Sequence, residues 1–258
     1  MDYLKRLDLV GGLKEIADFL WQSLYLSVQS IINPAKALSQ LSARKYLAWG
    51  MLALVLFSTF AVHRFYYHQV GFDFLANWVL VQRYGDLSLV DPELVAAARE
   101  HFASIYLNTA YVPVFVWFVY LLIVASLMRP FSRLHKAGDK PLGYGQLFLL
   151  SVMVLMPMLV GNLWLAFKLL FLDQPVLLFE LYPLTLRPVI FPLLEGVNNY
   201  WLVILGGALA PISLFALWSL ALTGWLFHRL FALKIWVVLL LVLLLLPVLA
   251  SFNYMVQQ

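Results

Sequence analysis

The chain has 258 residues, 64% hydrophobic and 12% charged, with a mean hydropathy of +0.88. Soluble domains carry about 25% charged residues, so a largely water-facing surface is excluded and a polytopic membrane protein is predicted. There is no cysteine, which excludes disulfides, thiolate metal sites and cysteine nucleophiles, and in so apolar a chain the net charge of +4 points to anionic lipid rather than nucleic acid.

Residues 1–45 form a charged N-terminal region. Its opening, MDYLKRLDLVGGLKEIADF, lacks an apolar h-region and a small-residue cleavage site, so it is expected to be retained. From Leu13 onward, apolar residues recur at 13, 16, 20, 24, 28 and 31, the spacing of one helical face. Lys14, Glu15, Asp18 and Gln22 mark the polar side, and Trp21 and Tyr25 are aromatics that favour a membrane interface. The pattern predicts an amphipathic helix lying in the cytoplasmic interface, with Lys14, Ile16, Leu20, Trp21 and Leu24 as the surface that meets membrane or partner. A helix packed on a soluble partner would show the same pattern. Next, Asn33 is a ready N-cap and Pro34 suits the first helical position, so a second short helix leads toward the membrane.

A span needs about 20 apolar residues. Five stretches qualify, 46–62, 105–128, 147–167, 200–227 and 235–252, followed by a short external tail, 253–258. The predicted fold is therefore an all-α membrane protein of five transmembrane helices. With the N-terminus cytoplasmic and the C-terminus outside, twelve of the 17 Lys and Arg lie inside, and inside segments carry +7 against −3 outside. That asymmetry fixes the expected orientation.

Two outer loops are substantial. In 64–104, Asp91 caps, Pro92 opens, and Leu94, Ala98, Phe102 and Ile105 form a stripe, predicting a surface helix that runs into the second span. In 169–199, prolines 175, 183, 188 and 192 argue against a regular helix.

The stretch GDKPLGYGQLFLLSVMVLMPMLVG, 138–161, raises the question of a phosphate loop. Lys140 precedes Gly143 and no Ser or Thr follows it, so the Walker order is absent, and Gly143 and Gly145 supply only the first pair of a dinucleotide fingerprint. Turn glycines that supply φ > 0 explain the pattern instead. His63 and His68 stand five apart, off one helical face, and the H-E-x-x-H spacing is absent; His101, His135 and His228 are read as structural or interfacial. No nucleophile elbow and no paired acidic motif lies in a span, so no catalytic, cofactor-binding or metal residues are assigned and no enzyme is expected.

Polar residues within spans are the functional flags that remain. They are Asn108, Thr109, Asn162, Asn198, Asn199 and Thr223, with Lys168 at the outer end of the third span. Interhelical glue and a conduction path are the two readings. Pro113, Pro157, Pro211 and Pro247 would kink spans two to five, and Asn108, Pro113, Pro157, Asn162 and Pro211 form the candidate polar and kink site.

Three segments resemble the membrane domain of the Yip1 family. SIINPAKALSQL resembles the segment before its first span, GDKPLGYGQLFLLSVMVLMPMLVG its central signature, and PISLFALWSLALTGWLF, 211–227, its fourth span with Trp218 and Gly224. The resemblance implies five spans with a cytoplasmic N-terminus and brings no catalytic residues. The first outer loop is longer than the family layout implies, and the acidic N-terminal region of the eukaryotic members is missing. The expected function is a non-enzymatic scaffold or accessory subunit in envelope biogenesis or lipid and polymer export, in a bacterial inner membrane. Its expected partners are the lipid bilayer and membrane proteins or a second copy, with no nucleic acid. A small transporter or channel subunit is the alternative.

Overall fold

A computed structural model describes residues 9–134, 141–181 and 212–257, with 185–186, 190, 192–193, 206 and 209–210 between them. His135, Asn198, Asn199, Pro211 and the start of the predicted fourth span lie outside the described residues. What is described is all-helical apart from one isolated antiparallel bridge, Thr185 to Ser213.

The N-terminal region forms a helical hairpin, α1 (Leu9–Ile32) and α2 (Pro34–Ala43). Its corner follows from sequence: Asn33 Oδ1 accepts the Lys36 N–H at 3.1 Å, and Pro34 opens α2. Helix α3 (Leu47–Val70) then runs well past the predicted end of span one at residue 62. The extension, HRFYYHQV, is too polar for a hydropathy window but is compatible with a helix, and its tyrosines are buried. The first outer loop is likewise mostly helical, with α4 (Phe72–Tyr84) after a left-handed Gly71 (φ 84°) and α5 (Pro92–Tyr106) after Asp91, whose Oδ1 accepts the Glu93 N–H at 2.9 Å.

Helices α6 (Tyr111–Leu134), α7 (Tyr144–Ser151), α8 (Met156–Leu170), α10 (Leu214–Phe231) and α11 (Ile235–Gln257) complete the bundle, with the single turn α9 (Leu178–Leu181) between α8 and α10. The external tail expected at 253–258 is the end of α11 as far as Gln257. A 3₁₀ turn, Leu107–Ala110, joins α5 to α6, and another, Val152–Leu155, joins α7 to α8. Each ends shortly before a proline, Pro113 and Pro157. Proline donates no N–H, and its ring clashes with the carbonyl four residues back, here Thr109 and Met153, both within the 3₁₀ turns. The tighter i→i+3 bonding carries the chain through that gap.

Among the described residues, four stretches are long and apolar enough to cross a membrane: Leu47–Val70, Asn108–Leu134, Tyr144–Leu170 and Leu214–Phe231. Ile235–Val248 is a shorter apolar helix. The chain thus has the build of a multi-pass membrane protein.

Glycine sets the closest helix approaches. A Cβ on Gly161 would come within 2.9 Å of the Phe215 ring, and one on Gly224 within 3.0 Å of Val242. This is the small-residue packing by which helices associate in lipid, where no hydrophobic drive separates helix from solvent. A large core is centred on α3, α6, α7, α8 and α10. A second cluster forms around Tyr66, Tyr67, Tyr106 and Leu169 at the far end of α3. There Phe72, Phe102, Tyr106 and Tyr67 form a chain of ring contacts, and the Tyr106 hydroxyl donates to the Tyr67 carbonyl.

Candidate functional site

Asn162 lies on α8 and is 2% exposed. Its Nδ2 donates to Ser58 Oγ at 2.9 Å and to Thr59 Oγ1 at 2.8 Å, both on α3. The Ser58 hydroxyl donates its own hydrogen to the Val55 carbonyl, so its oxygen is left to accept, which fits the amide in this orientation. His63, also buried, donates from Nδ1 to the Thr59 carbonyl at 2.7 Å, which leaves Nε2 as the acceptor in the neutral ring. The Asn162 Oδ1 atom is buried and has no hydrogen-bond partner among the described residues.

A second polar link joins α6 to α10. Thr223 Oγ1 donates to the Ser219 carbonyl at 2.8 Å, so the Tyr120 hydroxyl, 2.9 Å away, is the donor to Thr223.

The sequence-flagged residues do not converge. Asn108 is exposed in the 3₁₀ turn before α6, Pro113 is buried in the first turn of α6, and Pro157 is buried at the start of α8. Pro211 lies outside the described residues. Of the flagged residues, Asn162 and Thr223 hydrogen-bond to a neighbouring helix, and the donors of Asn162 are fully used on α3. His228 donates from Nδ1 to the Leu233 carbonyl at 2.8 Å, closing the left-handed turn at Ala232 (φ 49°) between α10 and α11. Among the described residues no three His, Asp or Glu side chains come together as a metal site requires.

The N-terminal hairpin has the most unusual surface. Helix α1 turns Ser23, Ser27 and Ser30 inward, all fully buried, together with Leu26. Each hydroxyl donates to the carbonyl four residues back, at 2.8 to 2.9 Å, so that face is small and already satisfied. It meets α3 at Gly50, where a Cβ would stand 2.1 Å from Ser23 Oγ. The apolar stripe faces away from the bundle: Leu13, Ile16, Leu20, Trp21, Leu24 and Val28 are all exposed, Trp21 at 68%. Lys14 is exposed beside them, and Gln22 on the flank accepts from Arg44 at 3.3 Å. Periodicity alone located the stripe. The serine face has its own sequence signal, the i, i+4, i+7 spacing of Ser23, Ser27 and Ser30, which sets small residues on the side of the helix that packs inward.

Two grooves open at opposite ends of α3. One, of about 610 Å³, is lined by Arg64, His68, Tyr67, Phe72 and Tyr106. The other, of about 950 Å³, lies between the start of α3, α6 and α7, and Lys45, Trp49, Phe118, Gly143 and Gly145 line it. Neither is lined by Asn162 or Pro157.

The glycines of this second groove correct a sequence expectation. Gly143 has φ −67° and ψ 155°, and Gly145 lies within α7; positive-φ glycines among the described residues are Gly71 and Gly85. The turn into α7 is instead made by Gly143 in extended geometry, its N–H donating to Gln146 Oε1 at 3.3 Å.

No family model, curated protein or solved structure matches the chain.

Proposed function

We propose that the chain is a non-enzymatic membrane scaffold or accessory subunit. Its five spans have the N-terminus cytoplasmic, and the outward face of α1 engages the bilayer and a membrane partner or second copy. The observation that carries this reading is the inverted packing of α1. In water an amphipathic helix buries its apolar stripe against the core. Here the stripe of Leu13, Ile16, Leu20 and Leu24 faces outward, and Ser23, Ser27 and Ser30 make the intramolecular contact together with Leu26, Phe19 and Ile31. Such a helix is stable where its outward surroundings are apolar, as lipid or a partner helix would be.

The charge asymmetry of the loops supports the orientation, and the order of the three Yip1-like segments supports a scaffold reading. Asn162 reads as glue between α3 and α8 rather than as part of a path, because both its donors end on side chains of a neighbouring helix. A photo-crosslinking residue at Leu20 or Trp21, in native membranes, tests the proposal. A discrete protein adduct, with that partner or a second copy co-purifying in fixed stoichiometry, is the expected result. Adducts to lipid alone, from a monomer that catalyses turnover or passes solute, would refute it.

A further inference from the structure

We propose that the groove at the start of α3 holds one anionic phospholipid, its phosphate at Lys45 and the first turn of α7, its acyl chain on Trp49, Phe118 and Phe148.

Three observations converge. First, charge: among the described residues that line the groove, Lys45 is the charged one, and none is a carboxylate. The same end carries the first turn of α7; the Gly143 and Gln146 N–H groups are taken by Gln146 Oε1 and the Gly143 carbonyl, and the partial positive charge of the helix start favours an anion. Second, shape: the remaining lining is aromatic and aliphatic. Trp49 and Phe118 flank Phe148 with ring centroids at 6.2 and 5.8 Å, and Leu122 and Leu149 continue the apolar surface. Trp49 is 55% exposed, so the trough is continuous with the outer surface of the bundle. A polar end with one cation, leading into an aromatic trough open to the side, fits an acidic headgroup with a chain attached.

Third, room. Gly143 and Gly145 both line the groove, neither has positive φ, and a Cβ at either would meet nothing within 4 Å. Gly50, Gly161 and Gly224 are explained by close neighbours. Gly143 and Gly145 are not, and what they provide is empty space beside Lys45. The back wall is fixed: the Tyr144 hydroxyl donates to the Leu122 carbonyl at 3.1 Å and holds α7 against α6.

This proposal needs a bilayer around the bundle but is independent of any partner on α1. The full chain is purified from bilayers of phosphatidylcholine doped with phosphatidylglycerol, and retained lipid is counted by native mass spectrometry. One phosphatidylglycerol per chain, retained in preference to phosphatidylcholine, is expected. Lys45→Gln should weaken that retention about fivefold, the factor for losing one basic residue near an anionic surface, while Lys234→Gln at the α10–α11 turn leaves it unchanged. Gly145→Leu is a better helix former than glycine. It should abolish retention by filling the groove while the helical spectrum and thermal midpoint hold. Equal retention of the two lipids, equal effects of Lys45→Gln and Lys234→Gln, or full retention by a folded Gly145→Leu chain would each overturn the assignment.

Discussion

Gly50 is where the α1–α3 contact is most exposed to a single change. A Cβ there would stand 2.1 Å from Ser23 Oγ and 2.8 Å from both Ser23 Cβ and Phe19 Cζ. Ordinary contact begins near 3.4 Å, so the hydroxyl is short by about 1.3 Å. Phe19 Cζ is the far end of a mobile side chain and can yield. Ser23 Oγ can rotate only by giving up its 2.8 Å bond to the Phe19 carbonyl, and Ser23 Cβ cannot rotate at all. Gly50→Ala must therefore push α1 off α3, at the cost usual for an overpacked interface, about 1–3 kcal/mol. With no cysteine in the chain, spin labels can be placed cleanly at Leu20 and Trp49, both exposed. The distance between them should lengthen or broaden in Gly50→Ala, and adding Ser23→Gly should restore it, giving a coupling energy of opposite sign to the single changes. An unchanged label distance and unchanged stability in Gly50→Ala would refute the close-packed hairpin.

Asn162→Leu removes two interhelical hydrogen bonds, each about 0.6 kcal/mol on average in a membrane protein. It also removes the partnerless Oδ1, whose burial costs about 1–3 kcal/mol. The two nearly cancel, so reversible unfolding in bilayers or detergent should show a change under about 2 kcal/mol; a larger loss would mean that the amide does more than join α3 to α8. Asp86 is exposed and accepts from the Ser88 hydroxyl at 2.7 Å and its N–H at 3.0 Å, side-chain hydrogen bond first in effect, which lowers its pKa. A carboxyl with a lowered folded pKa stabilises above its unfolded value, near 3.9, and loses that contribution as pH falls through the folded value. Amide exchange at Ser88, corrected for its intrinsic pH dependence, should therefore quicken locally on acidification below about pH 4; protection that is flat across that window would count against the turn.

Much of the fold was legible where one physical term dominates. Long apolar helices stand where hydropathy put the first three spans and the end of the fourth, and a shorter one where it put the fifth, because lipid admits few alternatives to a long apolar helix. The starts of α2 and α5 follow from Asn33-Pro34 and Asp91-Pro92, because capping is local chemistry. Legibility failed where two terms compete. HRFYYHQV after residue 62 scores as polar, yet its aromatic bodies bury in the cluster around Tyr66 and Tyr67 and prolong α3. The glycines at 143 and 145 read as turn residues because sequence shows backbone freedom and not empty space. Only coordinates separate a glycine that needs φ > 0 from one beside an open groove.

The candidate site was the least legible for a related reason. Sequence flags an intramembrane asparagine by its polarity, but its meaning depends on what its donors meet. Asn108 and Asn162 look alike in sequence. One is exposed at a helix start, and the other is buried and spent on Ser58 and Thr59. The same ambiguity holds for α1. Its apolar period identifies a face that avoids water without saying whether core, lipid or partner receives it. The answer came from the other face. Ser23, Ser27 and Ser30 carry hydroxyls already satisfied within the helix, so they offer the bundle little beyond close approach at Gly50. In water that contact would be a poor exchange for leaving Leu13, Ile16, Leu20 and Leu24 exposed, since each buried aliphatic side chain is worth about 1.5–3 kcal/mol. In lipid the exposed stripe costs nothing and close approach is the main gain left. The arrangement of α1 is thus itself evidence about the solvent in which this chain folds.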